Sequence, residues 1–168
     1  MDNQSELFPI VDEEGHVTGS IPRGRAHDGS KILHPVVHLH LFNSHNDLYL
    51  QHRPAWKDIQ PDKWDTSTGG HVDYGETVAS ALRREVEEEL GIAAFAPTFL
   101  GKYVFEGVRE RELVYVYRTT YDGPISPNAE ELSGGRFFSQ EEILRRIGTQ
   151  FFTPNFEEEY LRFFGSSK

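Results

Sequence analysis

Glu85, Glu88 and Glu89 are the residues of this chain best spaced to do chemistry together. They lie in a segment where Val78, Leu82, Val86 and Leu90 recur every four residues and Gly91 supplies a stop, which predicts a helix over Glu76 to Leu90. At about 100° per residue the three carboxylates share an arc of roughly 100°, while Glu87 points well away. Like charges so placed destabilise a helix by a few tenths of a kcal/mol per pair. A hard divalent cation such as Mg²⁺ would offset that repulsion by taking their oxygens. Arg84 sits beside the arc and can orient a glutamate. The loop ahead of the helix carries Gly70 and Gly75, which let backbone approach a phosphate or a metal closely. An acidic triplet alone also reads as a solvated helix face, so the surroundings must decide.

Those surroundings are specific. Gly70 is followed after five residues by Glu76, and after seven more by Arg84-Glu85-Val86, then Glu88-Glu89 and Gly91-Ile92. The pattern resembles the Nudix box, Gly-x5-Glu-x7-Arg-Glu-U-x-Glu-Glu-x-Gly-U with U apolar, at every position. Average residue frequencies put chance agreement at roughly one in ten million. By this resemblance the chain is identified as a member of the Nudix hydrolase superfamily. The resemblance implies an α/β fold, the Nudix-type α/β/α sandwich with a mixed sheet and a central catalytic helix. It makes Glu85, Glu88 and Glu89 ligands of Mg²⁺ or Mn²⁺, with the Gly70 backbone close to metal and substrate. Arg84 would hold a glutamate and Glu76 would support the site. The general base often lies outside the box in this family. Glu130 and Glu131 are candidates, Glu131 the preferred one, and either also reads as a surface carboxylate. The implied reaction is water attack on a phosphoanhydride bond of a nucleoside diphosphate, a triphosphate or another diphosphate-linked small molecule.

A second resemblance concerns the flanks. Leu48-Tyr49-Leu50-Gln51-His52-Arg53, Lys57, Trp64 and Gly69-Gly70-His71 are similar to the branch that contains type I isopentenyl-diphosphate isomerase. That likeness implies a second metal cluster at His27, His34, His71, Glu110 and Glu112, and a diphosphate faced by Arg53, Lys57, Gly70 and His71. Arg53 and Lys57 also read as ordinary loop cations. The isomerase, however, needs a cysteine two residues before its third histidine, where this chain has Gly69, and its box is degenerate where this one is intact. The hydrolase is therefore the expected activity. An isomerase-like enzyme and a non-catalytic ligand-binding module are the alternatives. His38 and His40 alternate along a strand and are expected to share a face without a ligand role. Trp56, Trp64, Tyr74 and Phe105 could stack on a base or belong to core and loops.

These residues need a frame to hold them. The 168 residues suit one domain spanning the chain. Leu7 to Val11 and Val17 to Ile21 flank a turn and predict a hairpin, followed by a loop over Arg23 to Ser30. Val36 to Phe42 and Asp47 to Gln51 predict a second hairpin. Residues 54–75 are rich in Pro, Asp, Gly and polar side chains and read as one long loop. Phe99 to Phe105, Leu113 to Tyr121 and Gly135 to Phe138 read as strands. Ser139 opens a helix to about Ile147 with Glu142 as capping-box partner, and a last helix runs from Pro154 to Phe164.

Composition narrows the classes. The chain has no cysteine, which excludes disulfides, thiolate zinc sites and a cysteine nucleophile. A formal net charge of −10 argues against binding a nucleic-acid polymer. No secretory pattern opens the chain and no apolar run approaches the roughly 20 residues of a membrane span, so a cytoplasmic location with no membrane partner is expected. The family resemblance allows a homodimer.

Overall fold

Leu33–Phe42 is buried along almost its whole length, so this strand, β3, is the sequence segment around which others must pair. The computed structural model describes residues 6–26, 28–54, 62–128 and 134–165. Contacts group the chain into two compact units, residues 1–38, 69–85 and 99–117 in one and residues 39–68, 86–98 and 118–168 in the other. β3 itself runs from the first unit into the second.

In the first unit, β1 (Leu7–Val11) and β2 (Val17–Pro22) form the expected antiparallel hairpin, with Phe8 opposite Ile21. Its turn closes on Asp12, whose carboxylate accepts from the backbone N–H groups of Glu14 and His16. The expected loop after it begins instead as a single helical turn, α1 (Arg23–Ala26). Ala26 is what draws it in, packing with Phe8 and Ile21 in a small buried cluster. β7 (Thr98–Glu106) and β8 (Arg111–Thr120) follow as a strand pair whose turn is closed by Gly107 N–H donating to the Glu110 carbonyl at 2.8 Å.

The second unit is built on β4 (Leu48–His52), which pairs antiparallel with β9 (Gly135–Phe138) from Leu48↔Phe138 to Gln51↔Gly135. It also pairs with β3 at Tyr49 and Leu48, and with β5 (Trp64–Asp65) at Gln51 and His52. α3 (Gln140–Arg146) and α4 (Pro154–Phe163) begin at Ser139 and Thr153, whose hydroxyls accept from the backbone N–H groups of Glu142 and Phe156. The Glu142 carboxylate does not serve as the expected capping-box partner. Arg136 and Arg146 claim it at 2.8 and 3.0 Å. Phe42, Leu48, Leu50, Phe138, Ile143, Phe152, Phe156 and Tyr160 form the core of this unit, and Trp64 packs against it.

The expected α/β class is observed: a seven-stranded sheet ordered β5-β4-β3-β8-β7, with β6 (Thr68–His71) also on β3 and β9 also on β4. The expected long loop over residues 54–75 is interrupted by β5 and β6. With two glycines among its four residues, Thr68-Gly69-Gly70-His71 has weak strand propensity, and pairing with buried β3 overrides it.

One buried polar contact fixes the last helix. His40 on β3 and Glu159 on α4 are both essentially inaccessible, and His40 Nε2 lies 2.6 Å from the Glu159 carboxylate. Glu159→Ala would strip His40 of that partner, and such a loss costs about 1–3 kcal/mol. Urea unfolding should show the full loss for Glu159→Ala and a smaller one for Glu159→Gln, which keeps an acceptor in place.

Candidate active site

The helix α2 (Val78–Leu90) begins where Thr77 Oγ1 accepts from the Ser80 N–H at 3.0 Å. It ends at Gly91, whose φ of 70° is the left-handed turn that favours glycine. Of the four-residue recurrence, Leu82, Val86 and Leu90 are fully buried, Ala81 beside them is buried as well, and Val78 at the start is half-buried. The backbone N–H groups of Ser126 and Asn128 donate to the Leu90 and Glu89 carbonyls at 2.8 and 2.9 Å, closing the helix end. Regular helix throughout puts Glu85, Glu88 and Glu89 on one face. Glu85 and Glu89 are half-buried, whereas Glu88 and the outward Glu87 are exposed.

Arg84 is the hub of the helix's first half. Its Nε and Nη2 donate to the two oxygens of Glu76 at 2.8 and 2.9 Å, a bidentate fork. Its Nη1 donates to Glu85 at 2.9 Å and Nη2 also reaches the His71 carbonyl at 2.9 Å. Glu76 accepts in addition from the Asp73 N–H, which ties the preceding loop to the same arginine. Hydrogen bonding from Arg84 holds the Glu76 carboxyl below the usual range, and Glu76 in turn raises the arginine. Arg84, expected to orient a glutamate, is hydrogen-bonded to both Glu76 and Glu85. Glu76, expected to support the site, contacts Arg84 through both of its oxygens.

Gly70 stands against the Glu85 carboxylate so closely that a Cβ there would overlap it. Near the helix's other end, Thr68 Oγ1 donates to Glu89 Oε1, and Gln51 Nε2 lies 3.4 Å from the same oxygen. Sequence spacing gave no sign of Thr68 or Gln51. Both sit on strands whose nearness to Glu89 is set by pairing, and only the hydroxyl run Thr66-Ser67-Thr68 before the box was a visible oddity.

The histidine cluster is partly assembled. One nitrogen each from His34 and His71 and one Glu112 oxygen lie within 4.8 Å of one another. His34 Nε2 and His71 Nε2 are 3.7 and 3.9 Å from Glu112. His34 Nδ1 lies 3.0 Å from the Ile32 carbonyl, which favours a proton there and turns the Nε2 lone pair toward the cluster. The rings of His34 and His71 stack, and Phe8 covers His71 at 4.5 Å. Glu110 stays outside this group. Burial, and then the charge of Glu112, push its carboxyl up. Arg53 lies 3.8 Å from Asp65, and half-buried Trp64 packs against the core between His52 and Phe138. His27, Trp56, Lys57, Glu130 and Glu131 fall outside the described residues.

The Arg84–Glu76 pair makes a prediction about acid. A carboxyl depressed in the folded state contributes stability above its unfolded pKa, about 4.3, and loses it as pH falls through the lower folded value. Denaturant unfolding followed downward from neutral pH should therefore show a decline that Glu76→Gln flattens, while Glu76→Gln also lowers stability at neutral pH by about 1–3 kcal/mol.

A family model for the NUDIX domain matches residues 32–159. An uncharacterised Nudix hydrolase of Pseudomonas aeruginosa is 33% identical over 153 residues, which cover 91% of this chain and 90% of that protein. Isopentenyl-diphosphate Delta-isomerase 1 of Photorhabdus laumondii is 31% identical over 163 residues, covering 92% and 93%. A crystal structure of a Deinococcus radiodurans protein superposes with a TM-score of 0.81 at 28% identity, covering 95% of this chain and 99% of that one. No helix among the described residues is long and apolar enough to cross a membrane. With an intact box, Arg84 hydrogen-bonded to Glu85 and Gly70 of β6 set close against the same carboxylate, this chain belongs to the Nudix family and is a Nudix hydrolase.

Proposed function

We propose that this chain hydrolyses a phosphoanhydride bond of a small diphosphate-containing molecule, a nucleoside di- or triphosphate or another diphosphate-linked compound, with Mg²⁺ or Mn²⁺ held by Glu85, Glu88 and Glu89. The observation that carries the reading is the Glu85 arrangement. One side of its carboxylate is fixed by Arg84, and Gly70 leaves bare backbone against it. Three carboxylates on one helix face, beside an arginine already engaged by Glu76, form a donor set that fits a hard divalent ion. Such an ion, when bound, supplies charge neutralisation for a diphosphate and an activated water. The protein's part is positional. Glu76 holds Arg84, Arg84 holds Glu85, and Gly70 keeps the approach open for phosphate oxygens.

The isomerase reading loses further ground at Gly69. A Cβ there would stand 2.8 Å from the His38 ring and 3.2 Å from the Val37 carbonyl oxygen. The position that would need a thiol is closed to any side chain unless β3 or His38 moves. A second cation site at His34, His71 and Glu112 is favoured by their converging ligand atoms. Metal content of the purified chain should then fall in His34→Asn with the Glu85–Glu89 face untouched.

The deciding experiment is release of phosphate or monophosphate from a panel of diphosphate compounds with Mg²⁺ or Mn²⁺. Turnover should require metal and fall about a hundredfold or more in Glu89→Gln. Gly70→Ala, which drives a methyl into the Glu85 carboxylate, should cost about 10- to 100-fold while the protein stays folded. Absence of turnover on every compound, with metal still bound, would replace this reading with a non-catalytic ligand-binding module.

A further inference from the structure

Thr66, Ser67 and Thr68 form a run of three buried hydroxyl residues immediately before the box, each no more than 5% exposed. Buried hydroxyls must find partners, so where they point is informative. Ser67 Oγ accepts from the Leu41 N–H at 2.8 Å and donates to the Tyr49 carbonyl at 2.5 Å. Leu41 and Tyr49 are themselves paired across β3 and β4. The serine hydroxyl is thus inserted into the ladder where β4 changes partner from β3 to β5 and β3 takes up β6. It fixes the backbone of the next residue, Thr68, at the fork.

From that fork Thr68 Oγ1 donates to Oε1 of Glu89. Gln51 Nε2 approaches the same oxygen at 3.4 Å and also reaches the Ser67 carbonyl at 3.3 Å. A buried threonine could satisfy its hydroxyl on any backbone carbonyl. This one is directed at a side-chain carboxylate, whose rotamer freedom must be given up if it is to hold an ion.

We propose that Thr68 is a positioning residue for the metal site. Its hydroxyl, held by the Ser67 bridge and assisted by Gln51, fixes Oε1 of Glu89 so that the carboxylate is set for the cation before it arrives. The inference rests on Glu89 being a ligand of the catalytic metal. A neutral donor suits that role, because it orients the carboxylate without bringing a positive charge that would compete with the ion. Glu85 is held instead by Arg84, whose charge is shared with Glu76.

The test titrates Mn²⁺ into the full chain and follows free Mn²⁺ by paramagnetic resonance, taking as the reference component whatever Glu89→Gln removes. Thr68→Val keeps the shape and loses the donor. It should weaken that component about tenfold or more and lower kcat more than it changes KM. Thr68→Ser, which restores the hydroxyl, should bind closer to wild type than to Thr68→Val. In kcat, adding Thr68→Val to Glu89→Gln should bring no further loss, since the threonine acts through that carboxylate. The proposal is overturned if Thr68→Val binds Mn²⁺ as wild type does, if Thr68→Ser is as poor as Thr68→Val, or if the two losses multiply. Should Glu89→Gln remove no component at all, the underlying ligand assignment fails and takes this proposal with it. Thermal unfolding checks each variant, and Thr68→Ala stands in if Thr68→Val does not fold.

Discussion

Crowding of carboxylates along one face of α2 is the constraint on which the rest depends. The helix carries Glu85, Glu88 and Glu89 at a spacing that costs a few tenths of a kcal/mol for each like-charged pair. Four fully buried residues on the same helix, Ala81, Leu82, Val86 and Leu90, oppose that cost. Burying a Leu or Val side chain is worth about 1.5–3 kcal/mol, so packing outweighs the repulsion several times over. The fold can therefore hold a face that its own charges would otherwise dismantle. What packing cannot do is aim the individual carboxylates, because a glutamate keeps three rotatable bonds beyond the helix backbone.

Aiming is done by donors of different charge. Arg84 reaches Glu85, but its fork is taken by both oxygens of Glu76, so most of its positive charge is matched before it meets the Glu85 carboxylate. Thr68 reaches Glu89 as a neutral hydroxyl. Both devices leave the glutamate face strongly negative, as a site for a divalent cation requires, and both use a group whose own position is fixed elsewhere. A lysine in either place would supply a hydrogen bond together with a compact, unshared charge, and would hold the carboxylate at the expense of the ion.

How much of this was legible depended on how far apart in sequence the partners lie. Glu85, Glu88 and Glu89 could be read because one helix carries all three, and helix geometry converts spacing into direction. The Arg84–Glu76 pair was readable as a role but not as a geometry, since Glu76 precedes the helix and its reach depends on the loop tied through Asp73. Thr68 and Gln51 were hidden because they approach Glu89 only through strand pairing, and the strand bearing Thr68 was itself expected to be loop. Its low propensity was overruled by β3, a fact of tertiary context that local sequence does not contain. The same limit shows at the histidines, where the family likeness grouped Glu110 with Glu112, but Glu110 lies in the turn before β8 and only Glu112, on the strand itself, brings a carboxylate oxygen among the ring nitrogens.

Thr68-Gly69-Gly70-His71 then makes sense as a strand selected for what it must not carry. At Gly69 the space for a Cβ is taken by His38 and the Val37 carbonyl, and at Gly70 by the Glu85 carboxylate. A side chain at the first would have to shift the His38 ring and crowd the Val37 carbonyl. At the second it would displace a proposed ligand. The residues on either side do carry side chains, and each makes a defined contact. Thr68 donates to Glu89, and His71 offers its carbonyl to Arg84 while its ring stacks under Phe8. Bulk is excluded where backbone must come close, and polarity is kept where a carboxylate or guanidinium must be held. A segment with that division of labour cannot also have high strand propensity, so it needs an already buried neighbour to pair with. β3 provides one, and the weakness of the sequence signal at residues 68–71 follows from the demands of the site.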